Sequence, residues 1–390
     1  MIFQTYALCF DDSVVDFASE TAQSYERRMF PYGNILLEMH NWESNVRRVV
    51  PYIPGEQPKG SGIIKLNTNE NPFPPSPMVK KALDEMDSDR LRLYPETVCE
   101  ELVELLAKDA GLQPSQVFVG IGSDDVLSMA FLTFFNSDKP VLFPDITYSF
   151  YDVWAAVYGI KYETLPLDDD FCIIPDDYVR ENGGIVIANP NAPTGVYLDI
   201  SAIEKIIAAN PDSVVIVDEA YIDFGGESAV KLVDKYDNLL VVQTFSKSRS
   251  LAGMRIGMAY GSEKLIKYLN DVRFSINSYT MNMPAQVCGL ASVKDKAYFE
   301  KTVKEIIEIR ENTKQHLAQL GFTMTDSMTN FLFAQHKEKP AKYIFEELKK
   351  RKIFVRYWDK PRINNHLRIT IGTKEQMDAL FGALEEILKG

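Results

Sequence analysis

Five short runs of the chain are almost wholly apolar: Val117–Ile121, Val141–Phe143, Ile185–Ala188, Val214–Val217 and Leu239–Phe245. A strand that is apolar on both faces needs cover on both faces. Helix-compatible stretches separate most of these runs, so the pattern predicts a mostly parallel sheet between helical layers, the α/β class. Thr97–Ala110 reads as one such helix, with Val98, Leu102, Leu105 and Leu106 on its apolar face and Gly111 as its stop. After about Val272 the rhythm changes. Lys296–Leu320 reads as one long charged helix, followed by strand-like Phe331–Ala334, Ile353–Val355 and Leu367–Ile371, with helices at Ala341–Lys350 and Lys374–Leu388. This predicts a smaller α+β unit and a cleft beside the large one. The expected division is an extension over 1–38, an arm and the start of the small domain over 39–84, a large domain over 85–275 and a small C-terminal domain over 276–390.

The segment from Val50 to Pro77 holds Pro51, Pro54, Pro58, Pro72, Pro74, Pro75 and Pro77. Proline removes a ladder donor and disfavours helix in the residue before it. An extended arm is expected, lying across a neighbouring subunit or domain rather than packing as an element. Residues 1–38 show no sustained period and read as an extension with little part in the core.

Charge and composition narrow the function classes. Forty-two basic residues against fifty-five acidic ones leave a net charge of −13. Such a surface repels nucleic-acid backbones and anionic membranes. No run approaches the roughly 18 apolar residues of a membrane span. The first residues lack the basic start of a signal peptide. Cys9, Cys99, Cys172 and Cys288 are scattered and form no CxxC pair, which speaks against structural zinc and for a reducing, cytoplasmic setting. The four histidines are scattered too, so no metal site is expected.

Three stretches carry candidate chemistry. Gly122-Ser123-Asp124-Asp125 follows one apolar run and opens a helix-like one. Ser123 or Asp124 is an ordinary cap there, or the helix start is an anion nest. Asp218 ends the run Val214–Val217, at the sheet edge where α/β folds bind ligands, and Tyr221 follows within reach. Lys247 and Arg255 follow the run Leu239–Phe245; the lysine suits attack on a carbonyl and the arginine a bidentate grip on phosphate. Together, an anion nest, a strand-end acid, a strand-end lysine and an arginine match pyridoxal 5′-phosphate. Its aldehyde needs a lysine, its ring nitrogen a carboxylate, and its phosphate a helix start and an arginine.

Over nearly all of 39–390 the sequence resembles the fold-type-I pyridoxal-phosphate aminotransferases, and among them the histidinol-phosphate aminotransferase family most closely. The marks are Val50-Pro51-Tyr52, Leu66-Asn67-Thr68-Asn69-Glu70-Asn71-Pro72, Arg92-Leu93-Tyr94-Pro95, Gly122-Ser123-Asp124, Asp218-Glu219-Ala220-Tyr221, Ser246-Lys247, Gly253-Met254-Arg255 and Leu367-Arg368-Ile369. The resemblance implies a large domain with a mostly parallel sheet and a smaller α+β domain. It implies that Lys247 bonds the cofactor and later moves a proton, that Asp218 pairs with the ring nitrogen, and that Tyr221 hydrogen-bonds the phenolic oxygen. Tyr148 would stack on the ring, while Ser123, Asp124, Thr244, Ser246 and Arg255 would surround the phosphate. Tyr94 would reach the phosphate bound in the other subunit, which makes a homodimer with shared sites. Arg368 would take the substrate carboxylate, and Tyr52 and Arg356, with Asn330 nearby, the substrate's phosphate end. The implied reaction is amino transfer between L-histidinol phosphate and 2-oxoglutarate in histidine biosynthesis. An aromatic amino-acid aminotransferase, a phosphothreonine decarboxylase-like enzyme and a cofactor-binding regulator are the alternatives. One departure stands out. Where the family reads Asn-Asn-Pro-Thr-Gly, this chain has Asn191-Ala192-Pro193-Thr194-Gly195. Either Asn191 takes the place of the missing amide, or Tyr221 and a water serve.

Overall fold

The computed structural model describes residues 41–389. Residues 1–38, read above as an extension, lie outside the described residues. Asn41–Asn45 forms a short 3-10 turn. From Val49 onward the chain is one compact unit.

The strands of that unit are, in chain order, β1 (Ile64–Lys65), β2 (Val117–Gly120), β3 (Val141–Pro144), β4 (Tyr162–Leu165), β5 (Gly184–Ala188), β6 (Val215–Asp218), β7 (Leu239–Thr244) and β8 (Gly257–Gly261), then β9 (Phe322–Met324), β10 (Phe331–His336), β11 (Ile353–Phe354), β12 (Arg356–Tyr357) and β13 (Leu367–Thr370). The main sheet has seven strands in the order β2-β8-β7-β6-β5-β3-β4. The central strands pair in parallel, and β8 runs antiparallel to both β7 and β2. All five apolar runs are strands of this sheet, within a residue or two at the ends. The sheet is mixed because β8 joins it, a strand whose Gly-Met-Ala-Tyr-Gly carries no apolar run of its own.

The alternation along each strand explains the two-sided cover. Val215 and Val217 face one way, with Ile185, Ile187, Leu239 and Val241, against the helices Glu100–Ala110, Ile200–Ala209 and Met283–Lys294. Ile216 faces the other, with Val186, Leu240 and Val242, against Ser123–Phe134, Tyr151–Tyr158 and Glu263–Ile276. Both faces are dry, which is why these strands read as unbroken apolar runs.

A four-stranded antiparallel sheet, β12-β13-β10-β9, carries a separate core with Ile306, Leu317, Ile344, Leu348, Leu380 and Leu384 from its helices. The proline-rich arm corrects the expectation of an unpacked segment. It is extended, but β1 pairs in parallel with β11 (Ile64 with Ile353), Leu66 is buried in the smaller core, and Asn67 and Asn69 are buried as well. The prolines flank this stretch rather than interrupt it, so its N–H groups remain free to pair. Among the described residues no helix is long and apolar enough to cross a membrane.

Candidate active site

The C-terminal ends of β6 and β7 and the start of the helix Ser123–Phe134 form the floor of a pocket. Ser123, Asp124, Tyr148, Asp218, Tyr221, Thr244, Ser246, Lys247 and Arg255 all line it. A second hollow shares Tyr148, Ala192 and Tyr221 with the first and adds Tyr52, Trp358 and Arg368.

The helix start differs from the capping that the sequence suggests. Gly122 is its N-cap, with φ +95°, and no side chain caps it. Neither Ser123 nor Asp124 takes that role, so the first-turn N–H groups are left to the pocket, an arrangement suited to an anion. Two glycines allow it. A Cβ on Gly257 of β8 would lie 2.3 Å from the Ser123 nitrogen, and one on Gly122 would lie 2.7 Å from Arg255 Nη2. Arg255 reaches over this turn, 3.3 Å from Asp124 Oδ2. Thr244 Oγ1 donates to Ser246 Oγ (3.0 Å) and accepts from the Ser246 N–H (3.1 Å), which fixes both hydroxyls at the rim.

Asp218 is the last residue of β6 and is buried. Its carboxylate accepts from Tyr151 O–H (2.8 Å) and Ala220 N–H (3.2 Å). Burial pushes its pKa up to about 6, against the opposing pull of those two bonds. A carboxylate held like this gains most from a cation placed against it. Tyr148 donates to Asp124 Oδ1 (2.8 Å), and burial, reinforced by that acid, raises its pKa well above the usual range. Its phenol is therefore a flat, neutral wall.

Lys247 lies three residues beyond the end of β7. Its Nζ donates to Thr68 O (3.3 Å), sits 5.8 Å from the Tyr221 ring centre, and pairs with no described carboxylate. The Tyr221 hydroxyl accepts from Asn69 Nδ2 (2.9 Å). Asn69 is in turn fixed by Thr370, whose hydroxyl accepts from the Asn69 N–H and donates to Oδ1 (both 3.0 Å), and by Asn330, whose amide donates to Asn69 O (3.0 Å).

Arg368 donates through Nη2 to Asn67 O (2.7 Å), while its Nε is shut from solvent with no partner. Arg356 is its register partner across β12 and β13. Both guanidinium groups lie against Trp358, 5.3 and 5.2 Å from its ring centre, and neither pairs with a described carboxylate. Like charges directly opposite on a sheet repel, and burial lowers the Arg368 pKa, with Arg356 adding to it.

The remaining sequence candidates fall outside the pocket lining. Asn191 is spent in its own loop: Nδ2 donates to Ile146 O (2.9 Å) and Thr194 Oγ1 (3.0 Å), and Oδ1 accepts from Thr147 Oγ1 (2.8 Å). Ala192 faces the pocket instead, and the amide beside Tyr221 belongs to Asn69. Asn330 stands behind Asn69. Arg356 lies behind Trp358, with Nη2 donating to Ile53 O (3.4 Å). Tyr94 is 79% exposed and stacks on Tyr279 (4.3 Å), away from the pocket of its own chain. Sequence reasoning passed over Tyr151 and Asn69. Tyr151 opens the helix Tyr151–Tyr158, three residues after Tyr148. The alternation of Asn67, Asn69 and Asn71 was the other available signal.

The profile of the family "Aminotransferase class I and II" matches residues 61–384. The histidinol-phosphate aminotransferase of Lactococcus lactis subsp. cremoris (strain MG1363) is 53% identical over 349 residues, 90% of this chain and 98% of that one. Histidinol-phosphate aminotransferase 1 of Hydrogenovibrio crunogenus is 51% identical over 348 residues, 89% and 98% of the two chains. The crystal structure of histidinol-phosphate aminotransferase from Sinorhizobium meliloti in complex with pyridoxal-5′-phosphate superposes with a TM-score of 0.76 at 24% identity, covering 84% of this chain and 91% of that one, which shows the shared fold. With a profile match over most of its length and relatives above half identity along nine-tenths of it, this chain belongs to the aminotransferase class I and II family.

Proposed function

We propose that the protein is a pyridoxal 5′-phosphate-dependent aminotransferase that moves an amino group between L-histidinol phosphate and 2-oxoglutarate, giving imidazole acetol phosphate and L-glutamate. The observation that carries the choice of substrate is Arg368, which lines the second hollow with Tyr52 and has no carboxylate partner, with its register partner Arg356 behind Trp358, since both substrates are anionic. The donor set fits the cofactor: uncapped N–H groups with Arg255 for its phosphate, a buried carboxylate for its ring nitrogen, and an amine free of any acid. When bound, that group supplies a carbonyl that captures amines and a ring that takes up the electrons of a broken C–H bond.

The chain's own residues do the rest. Lys247 would hold the cofactor through its amine and would carry a proton from and to the reacting carbon. Asp218, kept in place by Tyr151, faces the ring nitrogen and keeps it protonated. Tyr221, steadied by Asn69, donates to the phenolic oxygen, and Tyr148 covers one side of the ring. Arg368 takes the oxo-acid carboxylate, with Arg356 and Tyr52 toward the substrate phosphate.

The reading extends to a cytoplasmic homodimer in which Tyr94 reaches the partner's phosphate. Its support is that Tyr94 lies outside its own pocket, exposed and stacked on Tyr279, itself exposed. We take the seven-stranded sheet as the centre of the large domain and the four-stranded sheet as that of the small one. A substrate panel tests the assignment: histidinol phosphate, phenylalanine, tyrosine and phosphothreonine, each with 2-oxoglutarate. Histidinol phosphate should give the highest kcat/KM; a higher value for an aromatic amino acid would overturn it.

A further inference from the structure

We propose that Asn71 is a positioning residue for Lys247, and that through it the arm and the smaller sheet set where the reactive amine stands. The inference rests on the reading of Lys247 as the cofactor lysine. Lys247 is outside β7, in a loop whose Ser250 has φ +58°, so no sheet ladder fixes it. Asn71 takes over that task. Its Nδ2 donates to both Lys247 O (2.9 Å) and Ser248 O (3.2 Å), and its Oδ1 accepts from Phe73 N–H (3.0 Å), which leaves the amide no freedom to turn. Three residues earlier, Thr68 O receives the Lys247 amine itself (3.3 Å). One short stretch of arm therefore meets Lys247 at both ends, backbone carbonyl and Nζ.

That stretch is tied to the other sheet. Leu66 N–H donates to Phe354 O (2.7 Å), Thr370 N–H to Leu66 O (3.0 Å), and Asn69 bonds Thr370 and Asn330. Lys247 follows the seven-stranded sheet, and Asn71 belongs to an arm laced to the four-stranded unit. Any shift between the two is passed to the lysine through two hydrogen bonds from one amide. The same arm fixes the Tyr221 hydroxyl through Asn69, so it sets the spacing between the two groups that meet at the cofactor.

Two variants test this. Asn71→Ala removes the amide outright. Asn71→Ser keeps an oxygen able to accept from Phe73 N–H, as serine does in such turns, but is too short to reach the two carbonyls. In cofactor-free protein, trace acetylation across pH reads the reactivity of Lys247 against the exposed Lys80. Both variants should raise it roughly three- to tenfold, the loss of one or two neutral hydrogen bonds. In loaded protein both should lower kcat by roughly 10- to 100-fold with KM for 2-oxoglutarate little changed, as expected when a reacting group is misplaced. Unchanged labelling and kcat in both variants would overturn the proposal. So would an effect of Asn71→Ala that Asn71→Ser does not share, because Asn71 would then only shape the turn. If neither variant folds, Asn71 is simply structural and the proposal falls. The reading beneath it fails separately: borohydride reduction of the unmutated protein would then map the cofactor to another lysine.

Discussion

The floor and the outer wall of the pocket are held in different ways. On the floor, Asp218 is held by Tyr151 from a covering helix and by the Ala220 N–H, and Ser246 by Thr244 two residues away. On the wall, Asn67, Asn69, Asn330 and Arg368 are brought together from ends of the chain hundreds of residues apart. Among the described residues, the side-chain atoms that are buried without a partner include Asn67 Oδ1, Asn330 Oδ1 and Arg368 Nε, and none belongs to the floor. A preorganised floor suits a group that stays bound, because its dipoles need no rearrangement. Of the three wall residues only Arg368 lines the second hollow, so the valence left for an incoming ligand is there, while Asn67 and Asn330 lie behind the lining.

The largest effect should come from breaking the floor at Lys247. Lys247→Ala should lose roughly 10⁴-fold or more in kcat for every substrate, since attachment and proton transfer fail together. The variant should still take up the cofactor non-covalently, as measured by equilibrium dialysis. Sustained turnover in that variant would show that the floor does not carry the chemistry.

Breaking the wall should look different. Arg368→Ala should raise KM for 2-oxoglutarate by roughly 30-fold or more, the cost of ~2–5 kcal/mol for truncating one side of a closely held charge pair. Cofactor retention should not change. If retention falls instead and KM stays, floor and wall are one unit and the contrast fails.

The same contrast decides what the sequence makes legible. Floor residues sit at the ends of strands that are buried on both faces, so an apolar run followed by Asp218, or by Lys247 a few residues on, points to them directly. The wall depends on where a proline-rich arm lands, and no local period encodes that. Hence no local pattern marks Asn69 as the partner of Tyr221, and Asn191, one of the two alternatives for the missing amide, bonds within its own loop. Tyr151 was missed because it reads as one more apolar residue at the start of Tyr151–Tyr158. Strand β8 was missed because two of its five residues are glycine, and β4 because Glu163 and Thr164 interrupt any apolar run. The small unit, by contrast, was legible in its helices: Ala341–Lys350 has the predicted bounds.

Tyr94 belongs to neither surface within one chain, and it tests whether a second chain completes the floor. A hydroxyl bonded to a phosphate is worth ~1.5–3 kcal/mol. Tyr94→Phe should therefore weaken cofactor retention by roughly one to two orders of magnitude at most. Mixed dimers sharpen the point. A Lys247→Ala chain paired with a Tyr94→Ala chain should regain activity in one composite site, and no gain over the parents would rule out sharing.

The smallest effect lies one residue behind the floor. Glu219 follows Asp218 on the same strand end but points away from the pocket, fully enclosed, accepting from Ser228, the Ala229 N–H and Gln243. Burial lifts its pKa from 4.5 to about 7, even against those three bonds. The folded protein thus binds this proton more tightly than the unfolded chain. Glu219 costs nothing below about pH 4.5, where both states are protonated, and its contribution to stability falls as pH rises from there through about 7. Asp218 shares the sign, with a window from 3.8 to about 6, but only until a cation is placed against it. Loading with cofactor should therefore remove the Asp218 share of the slope and leave that of Glu219. Glu219→Gln keeps an oxygen for the Ala229 N–H and gives an N–H to Ser228, and Gln243 can turn its amide to suit. Its Tm near pH 7 should stay within a few degrees of the unmutated protein, on the scale of ~1 kcal/mol, while the decline of stability between pH 4.5 and 7 becomes shallower in loaded protein. Urea melts at half-unit pH steps would measure it. An unaltered slope would mean that Glu219 is already ionised in the fold, and that the two sides of this strand end differ in their partners but not in their charge.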